Sequence, residues 1–266
     1  MEVNNSVGFI GAGNMAFALA KGMKNRFPSI RFFYTDPVAE RMDLFRNGID
    51  GDGSCGSIEE VCLKAGILFL CVKPQMKEAV LPSLAAVAKP VVSIMAGVPL
   101  SLLTSAMPKA AVVRVMPNTG CLASEMAAAF SCGASVTAAV RDEVRALLNA
   151  AGTAVEVDES LLDAVTGLSG SGPAFVARLL QYFTDAGEAA GLPRDVASAL
   201  IRKTFLGTVR LLDETGIDEE TLIKMVSSPG GTTVAGRNVL ENSDAARIIT
   251  ETVAAATERS RELGKA

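Results

Sequence analysis

The sequence predicts an α/β N-terminal domain on a mostly parallel sheet, followed by an all-α C-terminal domain. Three observations carry that prediction. Up to about residue 157, short apolar runs alternate with amphipathic segments, the pattern of βαβ units. One of those runs, ILFLCV over Ile67 to Val72, is apolar on both faces, as a central parallel strand must be. Beyond residue 158 the alternation stops and helical spacing takes over. The expected domains are therefore 1–157 and 158–266.

In order, Val7 to Ile10 reads as a short buried strand and Met15 to Lys24 as a helix. Ile30 to Tyr34 is a second strand, followed by a helix opening near Pro37 and running to Asn47. Val91 to Met95 and Ala111 to Met116 repeat the apolar pattern of Ile67 to Val72. Met126 to Phe130 is a further strand, Thr137 to Ala150 a helix and Thr153 to Val157 a closing strand. Helical spacing then covers Leu161 to Ala190, Arg194 to Glu214, Asp218 to Val226 and Ala245 to Leu263. Phe175, Leu179 and Phe183 form one i, i+4 line, and Ile201, Phe205 and Val209 another. Leu200, Leu206 and Leu211 fall off the second line, so apolar residues occupy more than one face. About a hundred residues cannot bury all of this alone, which makes the C-terminal half a dimerisation domain. Burial of the same faces against the N-terminal half is the alternative.

Composition removes several function classes. The 25 Lys and Arg against 29 Asp and Glu form no basic stripe, so nucleic acid is not an expected partner. No apolar stretch is long enough to span a bilayer, and the opening MEVNNSV lacks the basic start and apolar core of a secretion signal. A cytoplasmic enzyme without a membrane partner is expected. The five cysteines show no CxxC spacing and read as reduced, with no metal site. Histidine is absent altogether, which disfavours serine-hydrolase logic and most zinc chemistry.

The sharpest motif is GFIGAGNMA, Gly8 to Ala16. Gly11, Gly13 and Ala16 supply G-x-G-x-x-A after a strand and at the opening of a helix, the dinucleotide fingerprint of a Rossmann domain. Gly11 permits the tight turn, Gly13 admits the pyrophosphate, and Ala16 lets helix and strand pack closely. Asp36 closes the next strand, where a carboxylate takes the ribose 2′-hydroxyl; it reads equally as a helix N-cap before Pro37. Tyr34, Thr35 and Arg41 stand near enough to alter the rule, so the 2′ group stays open. CVKPQ sets Lys73 at a strand exit, where ligands of open α/β sheets collect, although a solvated lysine is the plain alternative. SIMAGV (93–98) and RVMPNTG (114–120) end two more strands in turns that admit a nicotinamide or are turns alone. In the second half, GLSGSGPAF (167–175) marks a bend or a close backbone contact in a helical stretch. SSPGGTTVAG (227–236) exposes amides and hydroxyls at a helix start, as a carboxylate site or as a simple cap.

Together these segments, in this order along the whole chain, closely resemble pyrroline-5-carboxylate reductase, with SSPGGTT the most family-specific of them. The resemblance implies reduction of the cyclic imine 1-pyrroline-5-carboxylate to L-proline with NADPH or NADH, and NADPH is the slightly favoured coenzyme. It also implies a homodimer through the C-terminal helices, with dimers assembling into decamers. It places the pyrophosphate at Gly11, Ala12, Gly13, Asn14 and Met15, with Thr35 and Asp36 beside the ribose. Val72, Lys73, Pro74, Ala96, Gly97 and Asn118 become the nicotinamide side. Ser228, Gly230, Gly231, Thr232 and Thr233 resemble the substrate site, with the Thr233 hydroxyl as the catalytic group reaching the imine nitrogen. Two residues depart from the family. Gly120 stands where proline usually follows NT, which would loosen a cofactor loop, and Arg237 where a small apolar residue is common, which would alter helix packing.

A protonated cyclic imine is already electrophilic, so the reaction asks mainly for positioning and tolerates the missing histidine. A β-hydroxyacid dehydrogenase shares the plan but requires lysine and asparagine where this chain has Val176 and Leu180, neither of which takes a proton. A non-catalytic dinucleotide sensor would have no use for SSPGGTT.

Overall fold

The structure is a computed structural model and describes residues 3–49 and 53–265; Met1 and Glu2 of the opening segment lie outside them. Seven strands form one sheet in the order β2-β1-β3-β4-β5-β6-β7. They are β1 (Ser6–Ile10), β2 (Arg31–Thr35), β3 (Ile67–Leu70), β4 (Pro90–Ser93), β5 (Ala111–Met116), β6 (Met126–Cys132) and β7 (Gly152–Glu156). Every pairing is parallel except β5 with β6. The reversal between β5 and β6 is reached through a short loop, since antiparallel neighbours need no crossover helix.

Alternate side chains along each strand serve opposite faces. Phe9, Phe69, Val92 and Val113 join one buried cluster, while Ile10, Leu68, Leu70, Val91 and Val112 join another. Both faces are therefore dry, which explains why these strands read as continuous apolar runs. Helices α1 (Asn14–Arg26), α2 (Ala39–Gly48), α3 (Ile58–Lys64), α4 (Lys77–Val80), α5 (Leu100–Ala106) and α6 (Ala138–Asn149) connect the strands. Phe45 of α2 is fully buried, with its ring 4.7 Å from Tyr34 and 5.4 Å from Phe9. Burying a phenyl ring of this kind contributes about 1.5–3 kcal/mol, which fixes α2 against the sheet.

After β7 the chain is helical. A four-residue helix α7 (Leu162–Val165) runs into a π-helical turn at Thr166–Gly170, and α8 (Gly172–Ala189) follows. The bend expected in GLSGSGPAF is this π turn, a form that occurs mostly as a single turn within longer helices. Then come α9 (Arg194–Thr215), α10 (Glu219–Met225), α11 (Thr232–Glu241) and α12 (Ala245–Lys265).

By contacts the chain divides into two compact units, residues 1–173 with 254–266, and residues 174–253. The first contains the sheet and both apolar clusters. The second has almost no interior of its own: only Thr184 and Ala197 are buried among its residues. Phe183 of α8 meets Phe205 of α9 edge-on at 5.6 Å, yet Phe183 stays 50% exposed. Leu200 and Val209 on α9 and Val239 on α11 are also exposed, the last at 74%. An apolar surface of that extent is what a partner chain covers.

Candidate active site

The carboxyl ends of β1 to β5 lie along one edge of the first unit, stitched by backbone bonds. Gly11 N donates to Thr35 O at 2.9 Å, Cys71 N to Ile10 O at 2.8 Å, and Ile94 N to Leu70 O at 3.1 Å. The exits singled out from the sequence, 11–15, 35–36, 72–74, 96–97 and 118, are thus neighbours on this edge.

Gly11 has φ +92, and a Cβ there would sit 2.8 Å from the Cys71 carbonyl oxygen, so only glycine fits. Gly13 differs: its backbone is ordinary, but a Cβ would meet nothing within 4 Å. Open space therefore lies against the residue that caps α1. The first intrahelical bond is Phe17 N to Gly13 O, so the amides of Asn14, Met15 and Ala16 lack intrahelical acceptors. No side chain caps this end and no acidic residue occupies its first turn. The positive end of the helix dipole is left for an anion.

Ala12 N donates instead to Asp36 Oδ2 at 2.9 Å. The other carboxylate oxygen, Oδ1, accepts from Val38 N at 2.9 Å and lies 3.5 Å from Arg41 Nη1. Val38, not Asp36, is the cap of α2. The helix-cap reading of Asp36 is thereby set aside, and its carboxylate ties the glycine loop to the turn before α2.

At the next exit, Lys73 is exposed and begins a tight turn at Pro74–Met76, with Val72 beside it half-buried. Ala96 is exposed at the end of β4, and a Cβ on Gly97 would lie 3.4 Å from Gly264 N near the end of α12. Asn118 is engaged internally. Its Oδ1 accepts from Gly120 N and Ala127 N, both at 3.1 Å, while Nδ2 donates to Ser169 O in the π turn, also at 3.1 Å. Gly120 does not loosen this loop, because its N–H makes a bond that proline could not make. Burial pushes the Cys121 thiol up to about 11 and raises the Cys71 thiol as well, which keeps both neutral near pH 7.

Sequence reasoning missed Arg114 and Glu159. Glu159 Oε1 accepts from Leu100 N at 2.6 Å and Arg114 Nη1 at 2.8 Å, joining the start of the C-terminal segment to α5 and β5. The available signal was an arginine inside the apolar strand AVVRVM, since a side chain only 11% exposed requires a partner.

In the second unit, α10 ends before a turn in which Gly230 has φ +69 and Gly231 N donates to Ser228 O at 2.9 Å. Gly231 caps α11 with no side-chain cap and no acidic residue in the first turn. Ser228, Gly230, Thr232 and Thr233 are exposed. Arg237, three residues further than Val234, bonds Ser227 Oγ at 3.4 Å and pairs with Glu241 at 3.0 Å, tying α11 back to the turn. Among the described residues no cluster of metal-ligating side chains occurs, and no helix is long and apolar enough to cross a membrane.

Comparison with known proteins gives these turns a context. A family model described as pyrroline-5-carboxylate reductase dimerisation matches residues 159–263, and one described as NADP oxidoreductase coenzyme F420-dependent matches residues 6–97. A pyrroline-5-carboxylate reductase of Synechocystis is 38% identical over 263 residues, covering 97% of this chain and 98% of that one. The Arabidopsis thaliana protein of the same name is 38% identical over 265 residues, covering 97% and 95%. Among solved structures, a pyrroline-5-carboxylate reductase from Coxiella burnetii aligns with a TM-score of 0.91 at 28% identity, covering 98% and 99%. The Plasmodium falciparum pyrroline carboxylate reductase with NADP bound aligns at 0.83, also at 28% identity, covering 99% and 100%. With relatives of this identity along nearly its whole length, the chain belongs to the pyrroline-5-carboxylate reductase family.

Proposed function

We propose that this protein reduces 1-pyrroline-5-carboxylate to L-proline with NADPH or NADH, the last step of proline biosynthesis. The observation that carries the reading is a pair of helix N-termini, at Gly13 and Gly231, each reached through a glycine turn and each bare of side-chain caps and first-turn acids. Two such ends suit two anions: the pyrophosphate of a dinucleotide and the carboxylate of a small substrate. The open space above Gly13 and the close packing beneath Gly11 fit a dinucleotide.

In this reading the amides of Gly13, Asn14 and Met15 hold the pyrophosphate, and Gly11 and Ala12 shape the loop. Thr35 and Asp36 border the adenine ribose. Val72, Lys73, Pro74, Ala96, Gly97 and Asn118 border the nicotinamide, Asn118 by fixing its loop. The bound coenzyme supplies a hydride. Ser228, Gly230, Gly231 and Thr232 hold the substrate carboxylate through backbone amides and hydroxyls. The Thr233 hydroxyl orients the ring nitrogen, so that the electron-poor carbon is presented in one pose. The net proton arrives with the protonated imine or from solvent, which is why a chain without histidine suffices.

Residues 1–157 act as the dinucleotide-binding domain and 158–266 as the dimerisation and substrate-binding domain. The protein works as a cytoplasmic homodimer through the C-terminal helices, and dimers associate into a decamer. The exposed apolar side chains of α8, α9 and α11 support the self-association. The test is the loss of nicotinamide absorbance when pyrroline-5-carboxylate is added to protein and NADPH or NADH. Turnover is expected there and none with 3-hydroxyisobutyrate and NADP⁺; the reverse pattern would overturn the reading.

A further inference from the structure

The end of β2 decides which form of the coenzyme a Rossmann domain prefers. A free carboxylate there accepts the ribose 2′-hydroxyl and repels a 2′-phosphate, whereas a nearby arginine accommodates the phosphate. This chain has both groups, Asp36 and Arg41, and the structure shows different commitments for them. The Asp36 side chain is only 4% exposed. One of its oxygens takes the Ala12 amide and the other the Val38 amide, both at 2.9 Å. Two amide donors and an adjacent guanidinium offset its charge where it sits.

Arg41 is the complement. It lies in the first turn of α2 and is 48% exposed. Its Nη1 is 3.5 Å from Asp36 Oδ1, an ion pair longer than a hydrogen bond, so the fork of N–H donors is not consumed by that carboxylate. A half-exposed, planar guanidinium at this strand exit suits the oxygens of a doubly anionic phosphate. Glu40, its neighbour in sequence, is displaced by about 100° around the helix.

We infer that Arg41 selects the phosphorylated coenzyme, binding the 2′-phosphate of NADPH, while Asp36 serves as a brace for the glycine loop and takes no part in reading the ribose. This rests on the dinucleotide reading of the Gly13 site and adds the selection at its far end. Asp36 and Arg41 act as a unit: the carboxylate holds the guanidinium over the turn without saturating it.

The test is equilibrium binding to the full-length protein by calorimetry, with NADP⁺ and NAD⁺ compared, and adenosine 2′,5′-bisphosphate compared with AMP. Each pair differs only by the 2′-phosphate. The phosphorylated member is expected to bind at least about tenfold more tightly, the fold-change of one charge-assisted contact, with a gap that narrows as salt rises. Arg41→Ala should remove that gap while leaving NAD⁺ and AMP affinity within about twofold, and Arg41→Lys should keep part of it. Equal or tighter binding of NAD⁺ by the native protein would overturn the inference and leave the dinucleotide reading standing. A gap that survives Arg41→Ala would overturn it too. Binding of neither dinucleotide would overturn both.

Discussion

Glu159 Oε1 lies 2.8 Å from Arg114 Nη1 and 2.6 Å from the amide of Leu100. One carboxylate thereby neutralises an arginine that is 11% exposed on strand β5 and satisfies the start of helix α5. Removing it strands both partners. Glu159→Gln should destabilise the protein by about 2–3 kcal/mol in urea unfolding, since a nearly buried charge left without its partner is costly. Arg114→Met combined with Glu159→Gln should recover part of that loss. An unchanged unfolding midpoint for Glu159→Gln would show that the bridge contributes nothing.

The two loop glycines should separate folding from binding. Gly11→Ala places a Cβ against the Cys71 carbonyl at a φ of +92 and should lower stability by about 1–3 kcal/mol. Gly13→Ala places its Cβ in open space and should change stability by only about 0.5 kcal/mol. The same methyl group stands where the pyrophosphate approaches, so NADP⁺ affinity should fall at least about tenfold. Thermal unfolding and calorimetric titration of both variants check this.

Thr233→Ala should lower turnover of the imine while coenzyme affinity stays within about twofold, because Thr233 belongs to the turn at α11 and the pyrophosphate to the turn at α1. Thr233→Ser, which keeps the hydroxyl, should retain most of the activity. A Thr233→Ala protein with full turnover would assign the ring nitrogen to another donor.

Burial holds the Cys121 thiol neutral up to about 11 in the folded protein, against an ordinary value of 9.0. The unfolded chain releases that proton near the ordinary value, so above it the folded state binds more protons than the unfolded one. Stability from this group is fully present below pH 9 and is lost as pH rises towards 11. The urea midpoint should therefore fall over that interval, and less steeply in Cys121→Ala than in the native protein. A slope unchanged by the substitution would remove the thiol from the account.

The second unit, with only Thr184 and Ala197 buried, should depend on association. Leu200→Asp together with Val209→Asp puts charge on two exposed apolar positions of α9. Sedimentation should show a shift towards monomer, with a lower melting temperature.

The sheet was legible because both of its faces are covered: strands such as Ile67–Leu70 carry apolar residues at every position, a signal that survives without neighbours. The expected strand Met126 to Phe130 forms but runs on to Cys132, where antiparallel pairing with Val113 extends it. Helices α3 and α5 went unread because seven residues make fewer than two turns, too few to show a period. The break in GLSGSGPAF was visible from its glycines and proline, but its π form depends on backbone geometry that composition does not encode. The glycine loop announced itself through spacing. What Asp36 and Asn118 do was not readable, since each satisfies amides far away in sequence: Asp36 that of Ala12, and Asn118 that of Ala127 together with the carbonyl of Ser169. A polar residue at a strand exit looks the same in sequence whether it faces a ligand or braces a loop.

A crystal structure with NADP⁺ and L-proline bound is the most direct test of the two bare helix ends. The pyrophosphate should lie within hydrogen-bond distance of the Asn14 and Met15 amides, and the proline carboxylate on the amides between Gly230 and Thr233. A pyrophosphate or a carboxylate bound away from its turn would contradict the assignment of the site.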